Sequence, residues 1–172
     1  MKKRKIKQNF KHPKYNTSVR FRGTRETKAV LIVCEGKKTE KKYFTDFKIY
    51  KKLSATIKIC GSERCGSNPV SIVDFTLKEA ENFEYDEVWV VFDMDQHKNI
   101  SEAINYAFTN KIKIAFSNPC FEIWYLLHFR YSLAFIDRNE TEKELKNKYL
   151  AGYDKSFSYY KQTLKYQGEA IK

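Results

Sequence analysis

Four short apolar segments, each followed by an amphipathic segment of helical periodicity, restrict the fold of this chain more than any other feature. The predicted strands are 28–34, 55–60, 87–93 and 112–118. The predicted helices that follow them are 39–53, 70–83, 100–110 and 119–129. Asn68 and Pro69 mark the start of the second helix, and Pro119 is expected at the first position of the fourth, because proline fits the first turn of a helix. The alternation predicts an α/β fold with a mainly parallel sheet of about four strands and helices on both faces.

The positive charge of the chain is concentrated at its N-terminal end. The 172 residues include 33 Lys and Arg against 21 Asp and Glu, a net charge of +12. Residues 1–28 hold eleven of the basic residues and one acid, which gives +10, so the rest carries 22 basic and 20 acidic residues, or +2. We therefore predict a basic arm (1–27), an α/β domain (28–130) and a helical C-terminal appendage (131–172), where the sequence becomes charged and helix-prone.

The basic arm is expected to bind DNA or RNA. Its first basic residues are Lys2, Lys3, Arg4 and Lys5, and three aromatic residues are interleaved with the later ones. Lysine and arginine attract phosphates without regard to sequence, and aromatic rings stack on bases. A solubilising tail without a nucleic-acid ligand is the alternative.

The sequence favours a cytoplasmic protein with no membrane partner. It contains no apolar run long enough to cross a bilayer, and its first residues lack the apolar core of a secretory signal. Cys34, Cys60, Cys65 and Cys120 are then expected to be free thiols in a reducing compartment. Half a zinc site at the Cys60 and Cys65 pair is the alternative, although no second pair of ligands accompanies it at suitable spacing.

Acidic residues follow the predicted strands at the points where those strands end. Glu35 ends the first strand, Asp93 and Asp95 end the third, and Glu122 follows the fourth. Because the carboxyl ends of parallel strands share one edge of a sheet, these acids are expected to meet there. Neighbouring carboxylates repel each other unless a cation lies between them, and Mg²⁺ or Mn²⁺ prefers such oxygen ligands. Helix-capping or turn-forming acids are the alternative reading of the Asp93-Met94-Asp95 motif.

Three stretches together resemble the RloB-like family, which is related to the OLD-type nucleases and has a Toprim fold. They are "VLIVCEGKKTEKKYF", "VWVVFDMDQH" and "FSNPCFEIWYLLHF", and the likeness covers residues 28–129. The resemblance implies a Toprim-like sheet, an essential glutamate at Glu35, a metal-binding pair at Asp93 and Asp95, and a place in bacterial antiphage defence or a restriction-associated locus. Glu40 corresponds to a second metal-binding glutamate of OLD-type nucleases, at a spacing one residue longer than usual.

Further residues near the acids are candidates with less specific signals. His97 is a candidate general acid or base, or else a surface histidine. Glu122 is a catalytic candidate, or else a carboxylate favoured by the helix dipole. Lys37 and Lys38 are candidates for binding the scissile phosphate, or else surface lysines. His128 is expected to be packed in the core. The "GKKT" motif lacks the spacing of a nucleotide-binding phosphate loop, so ATPase activity is not predicted.

These patterns predict a nuclease that uses Mg²⁺ or Mn²⁺ to hydrolyse phosphodiester bonds in DNA or RNA. Asp93 and Asp95 are expected to hold a cation, with Glu35 as a ligand of a second cation or as general base. The alternative is a non-catalytic nucleic-acid-binding or regulatory module that partners an ATPase, a nuclease or a restriction-system subunit. The sequence does not predict an oligomeric state.

Overall fold

The computed structural model describes residues 28–59, 68–94, 99–131 and 134–171. Their strands form one four-stranded sheet in the order β2-β1-β3-β4, in which every neighbouring pair is parallel. The strands are β1 (Val30–Cys34), β2 (Ala55–Ile59), β3 (Glu87–Asp93) and β4 (Lys113–Ser117). The predicted α/β fold with a parallel sheet is therefore confirmed, and each strand lies within the segment predicted for it.

The helices follow the strands in the predicted alternation. They are α1 (Thr39–Lys51), α2 (Pro69–Ala80), α3 (Ile100–Thr109), α4 (Glu122–Leu127), α5 (Arg138–Glu144), α6 (Tyr160–Thr163) and α7 (Gln167–Ala170). A π-helical segment (Leu145–Tyr149) extends α5, and a 3₁₀ turn (Leu164–Tyr166) joins α6 to α7. In the part of the chain that the structure describes, none of the helices is both long and apolar enough to cross a membrane.

The start of α2 is as predicted, and the start of α4 is not. Asn68 caps α2 by accepting a 3.0 Å hydrogen bond from the backbone N–H of Val70, and Pro69 is the first helical residue. The prediction that Pro119 begins the fourth helix is wrong, because α4 begins at Glu122. The residues before it form a tighter turn, in which the backbone N–H of Ile123 bonds to the carbonyl of Cys120, three residues back.

Alternate residues of the central strands point to opposite faces of the sheet, and helices cover both faces. One face carries Leu31 and Phe92, which pack with α2 and α3 around Ile72 and Ala103. The other face carries side chains of the same two strands and packs against α1, α4 and the C-terminal segment. Because protein segments cover both faces of the sheet, the central strands consist mainly of consecutive apolar residues.

The segment after Arg130 is part of this second core. Leu145, Leu150, Tyr153, Tyr159 and Tyr160 from that segment are buried in one cluster with residues of β1, α1 and α4. The ring of Tyr160, for example, lies 5.2 Å from the ring of Tyr43 on α1 in an edge-to-face arrangement. The C-terminal segment therefore supplies much of the apolar surface that covers this face of the sheet.

Candidate functional site

The order of the strands reverses between β1 and β3, and a crevice outside their carboxyl ends is expected at such a reversal. The chain leaves β1 for β2 on one side and then returns past β1 to form β3 on the other. In open α/β sheets, ligands bind where the strand order reverses in this way. The two strands that flank the crevice are β1, which is followed directly by Glu35, and β3, which ends at Asp93.

Glu35 and Asp93 contact each other across this crevice. The backbone N–H of Glu35 donates a 2.9 Å hydrogen bond to the carbonyl of Val91, which continues the pairing of β1 with β3 by one residue. The Oε2 atom of Glu35 then accepts a hydrogen bond of 3.4 Å from the backbone N–H of Asp93. The two acids, 58 positions apart in sequence, thus lie at one edge of the sheet.

Asp93 is a partly buried carboxylate surrounded by other carboxylates. Burial is the main cause that raises its pKa to about 7, and the negative charges of Glu40, Glu122 and Glu35 add to it. Arg138 opposes this shift through an ion pair of 3.1 Å between Nη2 and Oδ2. The side chains of Asp93 and Arg138 remain 17% and 40% exposed, so the pair faces solvent. Asp93 therefore gains or loses a proton near neutral pH.

Glu40, in the first turn of α1, lies beneath the turn that follows β1. Its side chain is buried, and burial raises its pKa, aided by the charges of Glu122 and Glu35 and opposed by a hydrogen bond from its own backbone. A Cβ atom at Gly36 would overlap both carboxylate oxygens of Glu40. Glycine at position 36 is therefore what allows the turn to pass directly over this carboxylate.

Glu122 is the most completely bonded acid of the group. Its Oε1 atom accepts hydrogen bonds from the hydroxyls of Thr39 (2.9 Å) and Tyr153 (3.0 Å) and lies 3.6 Å from Nζ of Lys155. Burial alone would raise its pKa, but Lys155 and the hydrogen bonds outweigh burial and hold the pKa below its usual value. Glu122 thus stays ionised and links α1, α4 and the C-terminal segment.

The two cations of the site, Arg138 and Lys155, were not predicted from the sequence. Lys155 also pairs with Glu142 at 2.5 Å. One local signal does place Arg138: Asp137 and Glu140 form a capping box, so α5 begins at Arg138. Nothing in the sequence indicates that this helix start faces the end of β3, because the contact spans 45 positions.

The other predicted site residues fall into two groups. Lys37 and Lys38 are exposed on the turn between β1 and α1, close to the acids, where a phosphate could be reached. Asp95, His97, Lys2, Lys3, Arg4 and Lys5 lie outside the described residues.

His128 is buried, as expected, with its Nδ1 atom 2.7 Å from the carbonyl oxygen of Trp124, and burial lowers its pKa. Cys34 and Cys120 are buried free thiols, whereas Cys60 and Cys65 lie outside the described residues.

The model of the RloB-like protein family matches residues 30–172. The chain belongs to the RloB-like family. No curated protein and no solved structure gives a significant match. The family match continues past the predicted likeness, which ended at residue 129, and takes in the segment that carries Arg138, Tyr153 and Lys155.

Two carboxylates of this RloB-like protein are of the kind that a hard divalent cation would use as ligands. Glu35 and Asp93 present carboxylates from adjacent strands, and Mg²⁺ is commonly held by one or two carboxylates together with waters and a substrate phosphate. Within residues 28–59, 68–94, 99–131 and 134–171, no three His, Cys, Asp or Glu side chains are arranged as a complete ligand set. Arg138 is paired with Asp93, so a cation bound to this carboxylate would compete with the guanidinium for it.

Proposed function

We propose that this RloB-like protein is a nuclease that requires Mg²⁺ or Mn²⁺, cleaves phosphodiester bonds in DNA or RNA and serves bacterial antiphage defence or a restriction-associated locus. One observation carries the proposal: four carboxylates, Glu35, Glu40, Asp93 and Glu122, interact at the strand-order reversal, and burial of Asp93, aided by the charges of the other three, raises its pKa to about 7. A fold gains nothing in stability from such a cluster, and perturbed carboxylates in a crevice are typical of catalytic sites.

Glu35 and Asp93 are the residues of the described chain that would hold the cation, and the predicted third ligand is Asp95. The bound cation would polarise a phosphoryl oxygen and acidify a water molecule. Glu35 is the proposed general base when it is not a ligand. The carboxylate of Glu40, whose charge acts on Asp93, would favour cation binding when it is ionised. Glu122 is proposed to hold the site together rather than to touch the substrate, because its hydrogen bonds are directed into the protein.

The basic residues around the crevice have a proposed role in binding the substrate. When a divalent cation binds Asp93, the guanidinium of Arg138 would exchange this carboxylate for a phosphate of the substrate, since arginine binds both kinds of anion. Lys37 and Lys38 stand at the mouth of the site, next to the N-terminus of α1, where the helix dipole also favours anions.

The decisive experiment is a cleavage screen with matched variants. Plasmid DNA, single-stranded DNA, transfer RNA and total RNA are incubated with the protein in Mn²⁺, Mg²⁺ or EDTA. We expect cleavage that requires the metal and is reduced by roughly 100-fold or more in Glu35→Gln and Asp93→Asn, because each substitution removes a charge at the reacting phosphate. Asp74→Asn, which removes an exposed carboxylate paired with Lys78 on α2, should cleave normally. Equal cleavage by all variants would reject the proposed site.

A second candidate function is a nucleic-acid-binding or regulatory module that partners an ATPase or nuclease. It is favoured by the ion pairs of Asp93 with Arg138 and of Glu122 with Lys155, which partly neutralise the cluster without a metal. A thermal-shift titration separates the two functions. A rise in Tm with Mn²⁺ that disappears in Asp93→Ala supports the nuclease, since only a ligand of the folded state stabilises it, and no rise supports the module.

The basic arm is proposed to supply most of the electrostatic attraction for nucleic acid in either function. Residues 1–28 carry a net charge of +10 and the rest only +2. Removing residues 1–25 should therefore weaken binding and flatten its dependence on salt, because fewer counterions are released. An unchanged affinity and salt slope in the shortened protein would show that the arm does not bind.

A further inference from the structure

A second concave surface lies beside the candidate site, on the C-terminal segment. It is a groove of about 630 Å³ between the end of α4, the π-helical segment and the turn between α6 and α7. Its aromatic and basic lining residues define what we call the aromatic groove: Phe129, Tyr149, Tyr159, Tyr166, Lys161 and Lys165. None of the candidate catalytic residues lines it, so the proposed chemistry does not account for it.

Three rings of the aromatic groove, those of Phe129, Tyr149 and Tyr166, form a continuous group with a positive charge at its rim. Phe129 and Tyr149 are stacked, with ring centres 4.9 Å apart and planes 7° from parallel. Tyr166 lies 5.3 Å from Phe129, remains 37% exposed and has the ammonium group of Lys165 4.7 Å from its ring centre. Lys161 is also exposed, and among the described residues that line the groove there is no carboxylate.

We propose that the aromatic groove binds unpaired bases of a single-stranded nucleic acid, with Lys161 and Lys165 contacting the backbone phosphates. Proteins that bind single strands combine rings on which bases stack with cations that follow the phosphates, and this groove offers both. Bases inside a duplex are already paired and stacked, so they cannot enter such a groove without being unpaired.

The position of the aromatic groove connects it to the carboxylates. Tyr159, which lines the groove, packs against Tyr153 with ring centres 5.0 Å apart. The hydroxyl of Tyr153 in turn donates its hydrogen bond to Glu122 in the candidate site. The inference thus rests in part on the proposed nuclease function. It restricts the substrate of the nuclease to nucleic acid with a single-stranded segment next to the cleaved bond.

A neighbouring groove of similar size provides a contrast within the same segment. It is lined by Phe135 together with Arg130, Lys143 and Lys148, but also by Glu140 and Glu144. Glu144 is engaged by Arg130 at 2.8 Å and by Lys148 at 3.1 Å, so much of the positive charge there is already neutralised. The charge of the aromatic groove suits a polyanion, whereas that of its neighbour does not.

The test measures binding apart from cleavage. Fluorescence anisotropy in EDTA, at roughly 0.3 M salt to screen the basic arm, compares a short oligothymidine with an abasic strand of the same length and charge. The full chain should bind the strand with bases roughly five- to 150-fold more tightly, the range that stacking of one base on a ring provides. Tyr166→Leu, which keeps an apolar side chain but loses the ring, should remove this preference, and Tyr166→Phe should keep it.

The control variant is Phe108→Leu, which removes an exposed ring from α3 on the opposite face of the sheet and should bind like the unmodified protein. Equal affinity for the two strands, or an undiminished preference in Tyr166→Leu, would overturn the proposal. So would a dimer that dissociates in Tyr166→Leu in sedimentation analysis, because a second copy would then cover the groove. Base-dependent binding by a protein that cleaves no substrate would support the groove and reject the nuclease, whereas metal-dependent cleavage without base preference would do the reverse.

Discussion

In the folded protein, burial and neighbouring carboxylates disfavour the ionised form of Asp93, whereas Arg138 favours it. The position of Asp93 at the tip of β3 removes it from most solvent and places it among the charges of Glu35, Glu40 and Glu122, while the charge of Arg138 compensates in part. An acid whose pKa is higher in the folded than in the unfolded state binds protons more strongly when folded. Ionised Asp93 thus lowers the stability of the metal-free protein, and this effect grows as the pH rises from its usual pKa to about 7.

Replacing Asp93 with asparagine should therefore stabilise the protein in EDTA at pH 8. We expect a gain on the order of 1–2 kcal/mol in the free energy of unfolding, less than the full pKa shift would give, because the ion pair between Asp93 and Arg138 is lost. Near pH 4 the gain should vanish, since wild-type Asp93 is then protonated when folded. Urea unfolding at both pH values measures the difference. Asp74→Asn is the control for an exposed carboxylate, and a loss of stability in Asp93→Asn at both pH values would show that the Arg138 pair dominates.

The acids at the strand tips could be predicted from the sequence, and their positive partners could not. The buried run of β1 stops at Glu35 and that of β3 at Asp93, so the local pattern alone marks both ends. Arg138 and Lys155 sit in charged sequence that resembles any solvated helix or loop. Their role depends on packing between distant segments, which no local spacing records.

Among the helices, α1 and α4 are joined to the C-terminal segment by one buried carboxylate. Glu122 on α4 binds the hydroxyl of Thr39 at the start of α1 and, on the other side, Tyr153 and Lys155. A buried ion pair contributes to stability only while both members are present, since a lone buried charge is costly. The network thus couples the start of α1, which carries Glu40, to the position of the C-terminal segment.

Breaking this network should lower stability in a non-additive way. We expect Glu122→Gln and Lys155→Met each to lower the free energy of unfolding by about 1–3 kcal/mol, and the double variant to lose less than the sum by about 1 kcal/mol. Tyr153→Phe, which removes one hydrogen bond from the same carboxylate, should cost about 1 kcal/mol. Urea unfolding of the four variants measures the coupling. Strictly additive losses would mean that Lys155 is held by Glu142 alone.

Glu87 links neighbouring strands at the opposite end of the sheet, where β3 begins. Its carboxylate pairs with Lys28, just before β1, at 2.9 Å and with Lys113, the first residue of β4, at 3.0 Å. It also accepts a 3.0 Å hydrogen bond from Nε1 of Trp89. The hydrogen bonds from Lys28, Lys113 and Trp89 lower its pKa to about 2.

The pH dependence of this contribution follows from the sign of the shift. A lowered pKa means that ionised Glu87 stabilises the folded state above its usual pKa, near 4, and that this contribution is lost as the pH falls to about 2. Glu87→Gln should cost at most about 1 kcal/mol at neutral pH, because the lysines are exposed, and should remove this part of the acid dependence. Glu79→Gln, which breaks one ion pair with Lys58, is the control. An identical acid dependence in Glu87→Gln and the wild type would contradict the assignment.

For the molecule as a whole, the alternation of strand and helix segments predicts the fold class but not the order of the strands. Four strands and the helices between them follow from short apolar runs that alternate with segments of 3.6-residue period, and this alternation predicts a parallel sheet covered on both faces. The order of the strands, and with it the reversal between β1 and β3, depends on which neighbours pair, so it emerges only in the structure. The predicted division at residue 130 remains a prediction, but the residues beyond it contribute five side chains to the core cluster that covers one face.

A shortened chain ending at Arg130 tests whether the sheet can fold without that segment. It would expose Tyr43 and Tyr125, which are buried against the C-terminal helices, and would remove both Arg138 and Lys155 from the candidate site. Uncovering an apolar face of this kind costs several kcal/mol by the usual area relation, comparable to the whole stability of a small domain. We therefore expect the shortened chain to lose its cooperative thermal transition and to bind a hydrophobic dye. A chain ending at Tyr166, which lacks only the largely exposed last helix, should still melt cooperatively. If the chain ending at Arg130 melts cooperatively instead, the C-terminal segment is a separable appendage. Arg138 and Lys155 would then belong to the candidate site without being needed for the sheet to fold.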